Sequence, residues 1–313
     1  MRCLGPMALW CAAALAADAL AAEWGDWVPR APGWTARLDY RAEQVSRIES
    51  SQERWDALLN LAVTGLLVPN YTDHGYQVVQ TPRSVHDRLN ATLQKALASG
   101  AIGQESRVDQ ISGPVARFVQ LGRLKREIMD ELKPMHEAWA GGTPLVATVA
   151  YGLRLYQRSN TLTMHTDRLE SHVISSIVHV NRKTNEPWPI VIEGFDGKSH
   201  EVDLQPGEML LYESAKCVHG RPRPLNGEWY TSLFIHYKPV DWHLTTAAAK
   251  EIAEPRLPLQ KPPDGKFDQL RLRGTGYYEP GCAHGWCDLA AVWPPPAAPA
   301  EEAALPDAPR GEF

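Results

Sequence analysis

Two periods of apolar residues divide the chain near residue 140. Before it, apolar positions recur every three or four residues, as they do on one face of a helix. Residues 42–66 carry Ile48, Trp55, Leu58, Leu59, Leu61 and Leu66 at that spacing. Residues 85–98 carry Val85, Leu89, Leu93, Ala96 and Leu97, and residues 115–139 carry Val119, Leu121, Leu124, Ile128 and Leu132. Thr81-Pro82-Arg83-Ser84 is a start signal for the second of these helices. After Gly141-Gly142-Thr143-Pro144 the pattern changes to that of strands, over 145–157, 171–181, 189–193, 200–204, 208–214 and 229–237. Asp196-Gly197, Pro206-Gly207 and Asn226-Gly227 separate them as turns. Short strands at this spacing predict a β-sandwich or jelly roll, not a parallel α/β sheet. With the helical first half, the predicted class is α+β.

The strand half also holds the candidate chemistry. His165 and Asp167, in Met164-His165-Thr166-Asp167, stand at i and i+2. On a strand or strand end, both side chains then point to one face. His219, in Cys217-Val218-His219-Gly220, follows a later strand and can complete the set. Two imidazoles and one carboxylate on one side of a metal leave coordination positions open, the ligand set of non-haem Fe(II) oxygenases. The same three residue types suit a zinc-dependent hydrolase. A non-catalytic, cupin-like binding module with degenerate ligands would share the strand pattern. His74, His86 and His136 stand alone in the helical half and read as surface or capping histidines.

Residues 146–242, about a third of the chain, resemble the double-stranded β-helix (jelly-roll) core of the 2-oxoglutarate- and Fe(II)-dependent dioxygenases, nearest the prolyl 4-hydroxylase-like branch. The resemblance rests on Leu155-Tyr156 followed after eight residues by His165-x-Asp167. It continues in Pro206-Gly207-Glu208, which leads through Leu210-Leu211-Tyr212-Glu213-Ser214 to His219. It implies Fe(II) held by His165, Asp167 and His219, 2-oxoglutarate as cosubstrate, and ascorbate as an accessory reductant. The implied reaction hydroxylates a C–H bond with O2 while 2-oxoglutarate becomes succinate and CO2. Peptidyl proline in an extended, Pro-rich protein is the first substrate choice. Other amino-acid side chains and small molecules are the family's alternatives. Trp188, Tyr212, Trp229, Tyr230 and Trp242 are candidate lining for a polyproline II ligand.

The chain departs from the family at the far carboxylate of 2-oxoglutarate, which needs a cation or strong donors once buried. Prolyl hydroxylases supply Lys or Arg nine or ten residues after the second His, where this chain has Glu228 and Trp229. Tyr156 matches the strand tyrosine that contacts 2-oxoglutarate in relatives, and His179 stands where relatives use a polar or cationic side chain. By strand parity Arg154 shares the face of Tyr156, and Arg221 shares that of His219. Ser232, His236 and Lys238 share one face of the last strand. The expected order of preference is Tyr156 and His179, then Arg154 and Arg221.

The termini place this core in a compartment. Met1-Arg2-Cys3, an apolar run over 7–20 and Ala21-Ala22-Glu23 match a secretory signal peptide. The run is interrupted by Asp18 and falls short of the ~20 apolar residues of a membrane span. The expected location is the secretory pathway, in the endoplasmic reticulum or Golgi lumen, or outside the cell. There Cys282 and Cys287 are expected to form a local disulfide, with Cys217 reduced beside the metal strand. The chain is 44% apolar and 22% charged, enough of each for a core and a surface, and its net charge of −5 argues against a nucleic-acid partner. The expected organisation is a signal peptide (1–22), a helical support region (23–140), the catalytic core (141–243), a C-terminal arm (244–290) and a Pro/Ala-rich disordered tail (291–313).

Overall fold

The computed structural model describes Leu38, Arg41 and residues 51–257 except Arg107 and Asp109. The expected signal peptide, the expected Cys282–Cys287 disulfide and the C-terminal residues from 258 lie outside the described residues. Two antiparallel sheets make the framework. The larger takes β1 (Tyr76–Gln80), β2 (Gly103–Gln104), β4 (Arg117–Val119), β5 (Leu145–Ala150), β6 (Leu153–Gln157), β8 (Ile174–Thr184), β11 (Glu208–Tyr212) and β13 (Gly227–Pro239). Its order is β1-β11-β8-β13-β6-β4-β2, with β5 also paired to β13. The smaller takes β3 (Ile111–Ser112), β7 (Thr161–His165), β9 (Ile190–Glu193), β10 (Ser199–Val202) and β12 (His219–Arg221), in the order β10-β9-β12-β7-β3.

Alternation along the large sheet sorts its residues between two apolar layers. Tyr156, Ile177, Leu210, Tyr212, Tyr230 and Phe234 pack against Ile190 and Ile192 of the small sheet. Their chain neighbours Leu155, Val178, Leu211, Leu233 and Ile235 face the other way. There they meet α2 (Arg83–Ser99) through Val85, Leu89 and Leu93, and α3 (Leu124–Trp139) through Ile128 and Leu132. α2 ends at Gly100, whose φ of 69° is the left-handed stop that glycine adopts without strain. α1 (Ser51–Ala62) and the π-helical turn Val63–Leu67 join the inner layer through Trp55, Leu58 and Leu66. Each fully buried Leu in these layers contributes about 1.5–3 kcal/mol.

Several expected elements change. The part before residue 140 is mixed, because β1 and β4 pair with β11 and β6, and β3 pairs with β7. The expected helix over 115–139 therefore starts only at Leu124, since Arg117–Val119 is drawn into the sheet. The run over 145–157 breaks at Tyr151-Gly152. A Cβ on Gly152 would collide with the Val119 carbonyl and the Phe118 ring, so the corner needs glycine. β7 and β12, which carry two candidate ligands, were not separate strands in the periodicity. α4 (Thr246–Ala253) follows the core, its first turn capped by the Thr245 side chain accepting from Ala248 N. No helix among the described residues is long and apolar enough to cross a membrane.

Four side chains sit elsewhere than expected. His136 is a core histidine, fully buried on α3 with its ring 4.5 Å from that of Tyr237. Trp188, Tyr212 and Tyr230, expected to line a groove, are buried in the inner layer, Tyr212 and Tyr230 because their strand parity turns them inward and Trp188 from the loop before β9. His74 is exposed and His86 is half-buried, with Nε2 3.0 Å from the Val180 carbonyl.

Candidate metal centre

His165 ends β7 and His219 begins β12, and the two are direct cross-strand partners. Their rings lie 4.5 Å apart. Asp167 follows in the loop after β7, held by its N–H to the Ser214 carbonyl at 2.8 Å. One ligand atom from each of His165, Asp167 and His219 falls within 4.8 Å of the others. Nε2 of His165 is 3.5 Å and Nε2 of His219 is 3.9 Å from Asp167 Oδ1. The other nitrogen of each ring points to a backbone carbonyl: His165 Nδ1 to Thr163 at 2.7 Å, and His219 Nδ1 to Cys217 at 2.9 Å. A carbonyl only accepts, so both rings carry the proton on Nδ1 and leave a lone pair on Nε2 facing Asp167.

Burial, with His165 beside it, lowers His219 to about 4. Burial opposes ionisation of Asp167, but His165, His219, His236 and His172 outweigh it and hold the carboxyl well below its ordinary range. Neutral imidazoles and an ionised carboxylate are the forms a divalent metal requires. A tight turn orients His219: Cys217 N donates to Glu213 O at 2.8 Å, which fixes the carbonyl that receives His219 Nδ1. The Glu213 side chain in turn accepts from Tyr71 N, Thr72 N and Thr72 Oγ1 at 2.7–3.0 Å. Cys217 is a free, buried thiol.

A second ring of groups surrounds Asp167: His236 and Tyr212, which the sequence suggested for other roles, and His172 and Tyr151, which it did not single out. The rings of His172 and His236 lie 3.7 Å apart, tilted by 35°, beside Asp167, with His236 Nδ1 3.7 Å from Asp167 Oδ2. Tyr212 also reaches Oδ2 at 3.4 Å, and Tyr151 lies 3.3 Å from His172 Nε2. The inward parity of His236 on β13 was legible. His172 and Tyr151 lie at strand ends, where no alternation gives a direction.

The four proposed cosubstrate residues are all buried, and they are differently engaged. Arg154 makes a two-pronged ion pair with Glu105 at 2.6 and 2.7 Å, and donates to Tyr156 Oη at 3.3 Å. Glu105 lies far back in the sequence, so no local pattern announced it. Arg221 donates to the Trp188 carbonyl and to Tyr230 Oη, and stacks 4.6 and 4.4 Å from the rings of those residues. It has no carboxylate partner among the described residues. His179 stacks on Tyr230 at 4.1 Å with Nδ1 on the Thr231 carbonyl, and its Nε2 is buried without a partner, as is Ser232 Oγ. Burial and the nearby Arg221 charge lower His179 to about 3, so it is a neutral donor or acceptor there. Lys238 lies farther along β13, half-buried near its end.

No family model and no curated protein matches the chain. Solved structures do resemble its fold. A prolyl hydroxylase from Trichoplax adhaerens, in complex with a hypoxia-inducible-factor peptide, is 14% identical over 61% of this chain and 94% of its own, with a TM-score of 0.42. A prolyl-4-hydroxylase from Pseudomonas putida is 17% identical over 58% and 99%, also at 0.42. An oxidoreductase of the 2-oxoglutarate/Fe(II) oxygenase family from Burkholderia pseudomallei is 14% identical over 52% and 84%, at 0.39. Two of these three are prolyl hydroxylases and the third is an Fe(II) oxygenase. The likeness is distant and transfers no residue's role.

Proposed function

We propose that the protein is an Fe(II)- and 2-oxoglutarate-dependent dioxygenase that hydroxylates a C–H bond, with peptidyl proline in secretory-pathway proteins as its substrate. The observation that carries this reading is one pairing. A three-ligand face with two lone-pair Nε2 atoms is accompanied, two residues along β12, by the buried guanidinium of Arg221 with no carboxylate among the described residues to neutralise it. An uncompensated buried cation is costly, and a dicarboxylate cosubstrate would supply the missing charge.

The donor set fits the groups implied. Two neutral imidazoles and a carboxylate suit Fe(II), and three ligands leave room for a chelating keto acid and O2. When bound, iron and 2-oxoglutarate together supply the chemistry that places one oxygen atom of O2 in the C–H bond while succinate and CO2 form. The protein's own residues hold and orient. His165, Asp167 and His219 hold the metal, and the carbonyls of Thr163 and Cys217 keep the two rings turned toward it. Arg221 takes the far carboxylate in a charge-assisted pair, steadied by Tyr230 and Trp188. His179 Nε2 and Ser232 Oγ are buried polar atoms that lack partners, and the Tyr156 hydroxyl, which accepts from Arg154, still has its own proton to donate. Arg154, already neutralised by Glu105, shapes the wall. Tyr212, Ile177 and Ile192 keep water from the interior. A zinc hydrolase would account for the three ligands but not for Arg221.

Iron-loaded protein is expected to convert 2-oxoglutarate to succinate under air without added substrate, and His165→Ala is expected to abolish this. Protein that takes up iron yet neither binds nor consumes 2-oxoglutarate overturns the reading. Mass spectrometry of Pro-rich peptides then tests the substrate by the gain of one oxygen atom. Succinate formation with no modified proline removes the prolyl assignment and leaves the oxygenase.

A further inference from the structure

The two oxygens of the Asp167 carboxylate face different neighbours. Oδ1 turns to the ligand imidazoles, 3.5 Å from His165 Nε2 and 3.9 Å from His219 Nε2. Oδ2 turns to the Tyr212 hydroxyl, at 3.4 Å. Among the described residues this is the one hydrogen bond that the carboxylate accepts, and Asp167 is the one acceptor that the hydroxyl reaches. His236 Nδ1 lies 3.7 Å from the same oxygen, but its hydrogen-bond partner is Ser175 Oγ, at 2.7 Å. A tyrosine hydroxyl has one proton to give. Here it has one place to put it.

The backbone around Tyr212 keeps that hydroxyl in place. Tyr212 is 1% exposed at the end of β11, paired with Tyr76 of β1 on one side and Ser175 of β8 on the other. Its ring meets that of His219 edge-on, at 4.7 Å and 73°. Two residues further along, the Ser214 carbonyl accepts the Asp167 N–H at 2.8 Å. The end of β11 therefore grips Asp167 at its backbone and at its outer oxygen, and packs the same tyrosine against a second ligand. A carboxylate with neither oxygen held turns about its last bond and is able to chelate a cation through both. With Oδ2 held, that turn costs a hydrogen bond to a charged acceptor.

We propose that Tyr212 is the positioning residue of Asp167: its hydroxyl holds Oδ2, so that Oδ1 alone is presented to the metal. This rests on the metal site of the oxygenase reading, and not on its cosubstrate or substrate. One carboxylate oxygen in place of two leaves a further coordination position open. A site that takes a chelating keto acid and O2 together needs that position. Tyr212→Phe keeps the ring against His219 and the strand pairing, and removes only the tether.

Infrared difference spectra of the full chain, Fe(II)-loaded without oxygen minus metal-free, test this with carbon-13 at the aspartate carboxyl carbon. The asymmetric and symmetric stretches of the labelled carboxylate lie far apart when one oxygen binds metal, and close together when both do. The expected result in the wild type is a wide separation, with bands that shift on exchange into heavy water through the Tyr212 hydroxyl. In Tyr212→Phe the separation should narrow and the effect of heavy water should vanish. A narrow separation in the iron-loaded wild type overturns the proposal. So does Tyr212→Phe protein that holds iron with the wild-type separation. If that variant fails to fold, the heavy-water shift in the wild type decides: its presence supports the proposal and its absence overturns it. A wild-type chain that takes up no iron overturns the metal reading and the proposal with it. Iron uptake without consumption of 2-oxoglutarate overturns the oxygenase reading alone, and the spectra still decide the role of Tyr212.

Discussion

At the scale of the residue, Arg221 separates a metal site of any kind from one built for a dicarboxylate. A hydrogen bond to a charged group is worth about 1.5–3 kcal/mol, so Arg221→Gln should raise the KM for 2-oxoglutarate roughly ten- to hundredfold, read from succinate formation against cosubstrate concentration. Arg154→Gln is expected to move that KM far less and to destabilise the fold instead, because it strands the largely buried Glu105 carboxylate, 10% exposed, without its counter-ion. The metal triad was legible in the sequence, since His165-x-Asp167 at a strand end and a later His need only parity and spacing to be brought together. How the candidate cosubstrate residues are engaged was not. Arg154 has Glu105 as its counter-ion, and Glu105 comes from a loop that no period in the chain connects to β6.

At the scale of the element, α3 carries a histidine whose burial works against its charge. His136 lies at about 4, lowered by desolvation, with the Leu132 carbonyl only partly restoring it. A folded-state value below the ordinary 6.5 means the native state disfavours the charged ring. Its contribution is then fully present above about pH 6.5 and is lost as pH falls toward 4. Urea midpoints measured near pH 7.5 and near pH 5 should show wild type losing more stability than His136→Leu between the two. Equal losses would place the acid sensitivity elsewhere. Long elements were legible because α2 and the strands β8, β11 and β13 repeat their period several times. β2, β3 and β12 hold only two or three residues each, too few to show one. The break between β5 and β6 turned on the space around Gly152, which is a tertiary fact.

At the scale of the whole molecule, the candidate site sits where the two sheets face each other. His165 and His219 come from the small sheet, while Tyr212 and His236 of the large sheet support Asp167. A bound divalent metal would therefore tie the two layers together. At about a hundredfold its Kd it should add ~2.7 kcal/mol, a rise of roughly 5–10 °C in the melting midpoint. Scanning calorimetry should find that rise abolished in His219→Ala. The α+β class and the two-layer core followed from the change of period near residue 140. That the first half would also lend β1 and β4 to the large sheet did not, because their partners are set by packing across the domain. The proposed signal peptide and Cys282–Cys287 disulfide bear on compartment, and secretion of the chain with a non-reducing mobility shift would test both together.

The central claim is that the three ligands and Arg221 form one site for metal and cosubstrate. Calorimetric titration of 2-oxoglutarate into the protein without oxygen, with and without Fe(II), tests it most directly. Saturable binding that requires the metal and is weakened by Arg221→Gln is the expected result. Binding of equal strength without metal, or none to the iron-loaded protein, would contradict it.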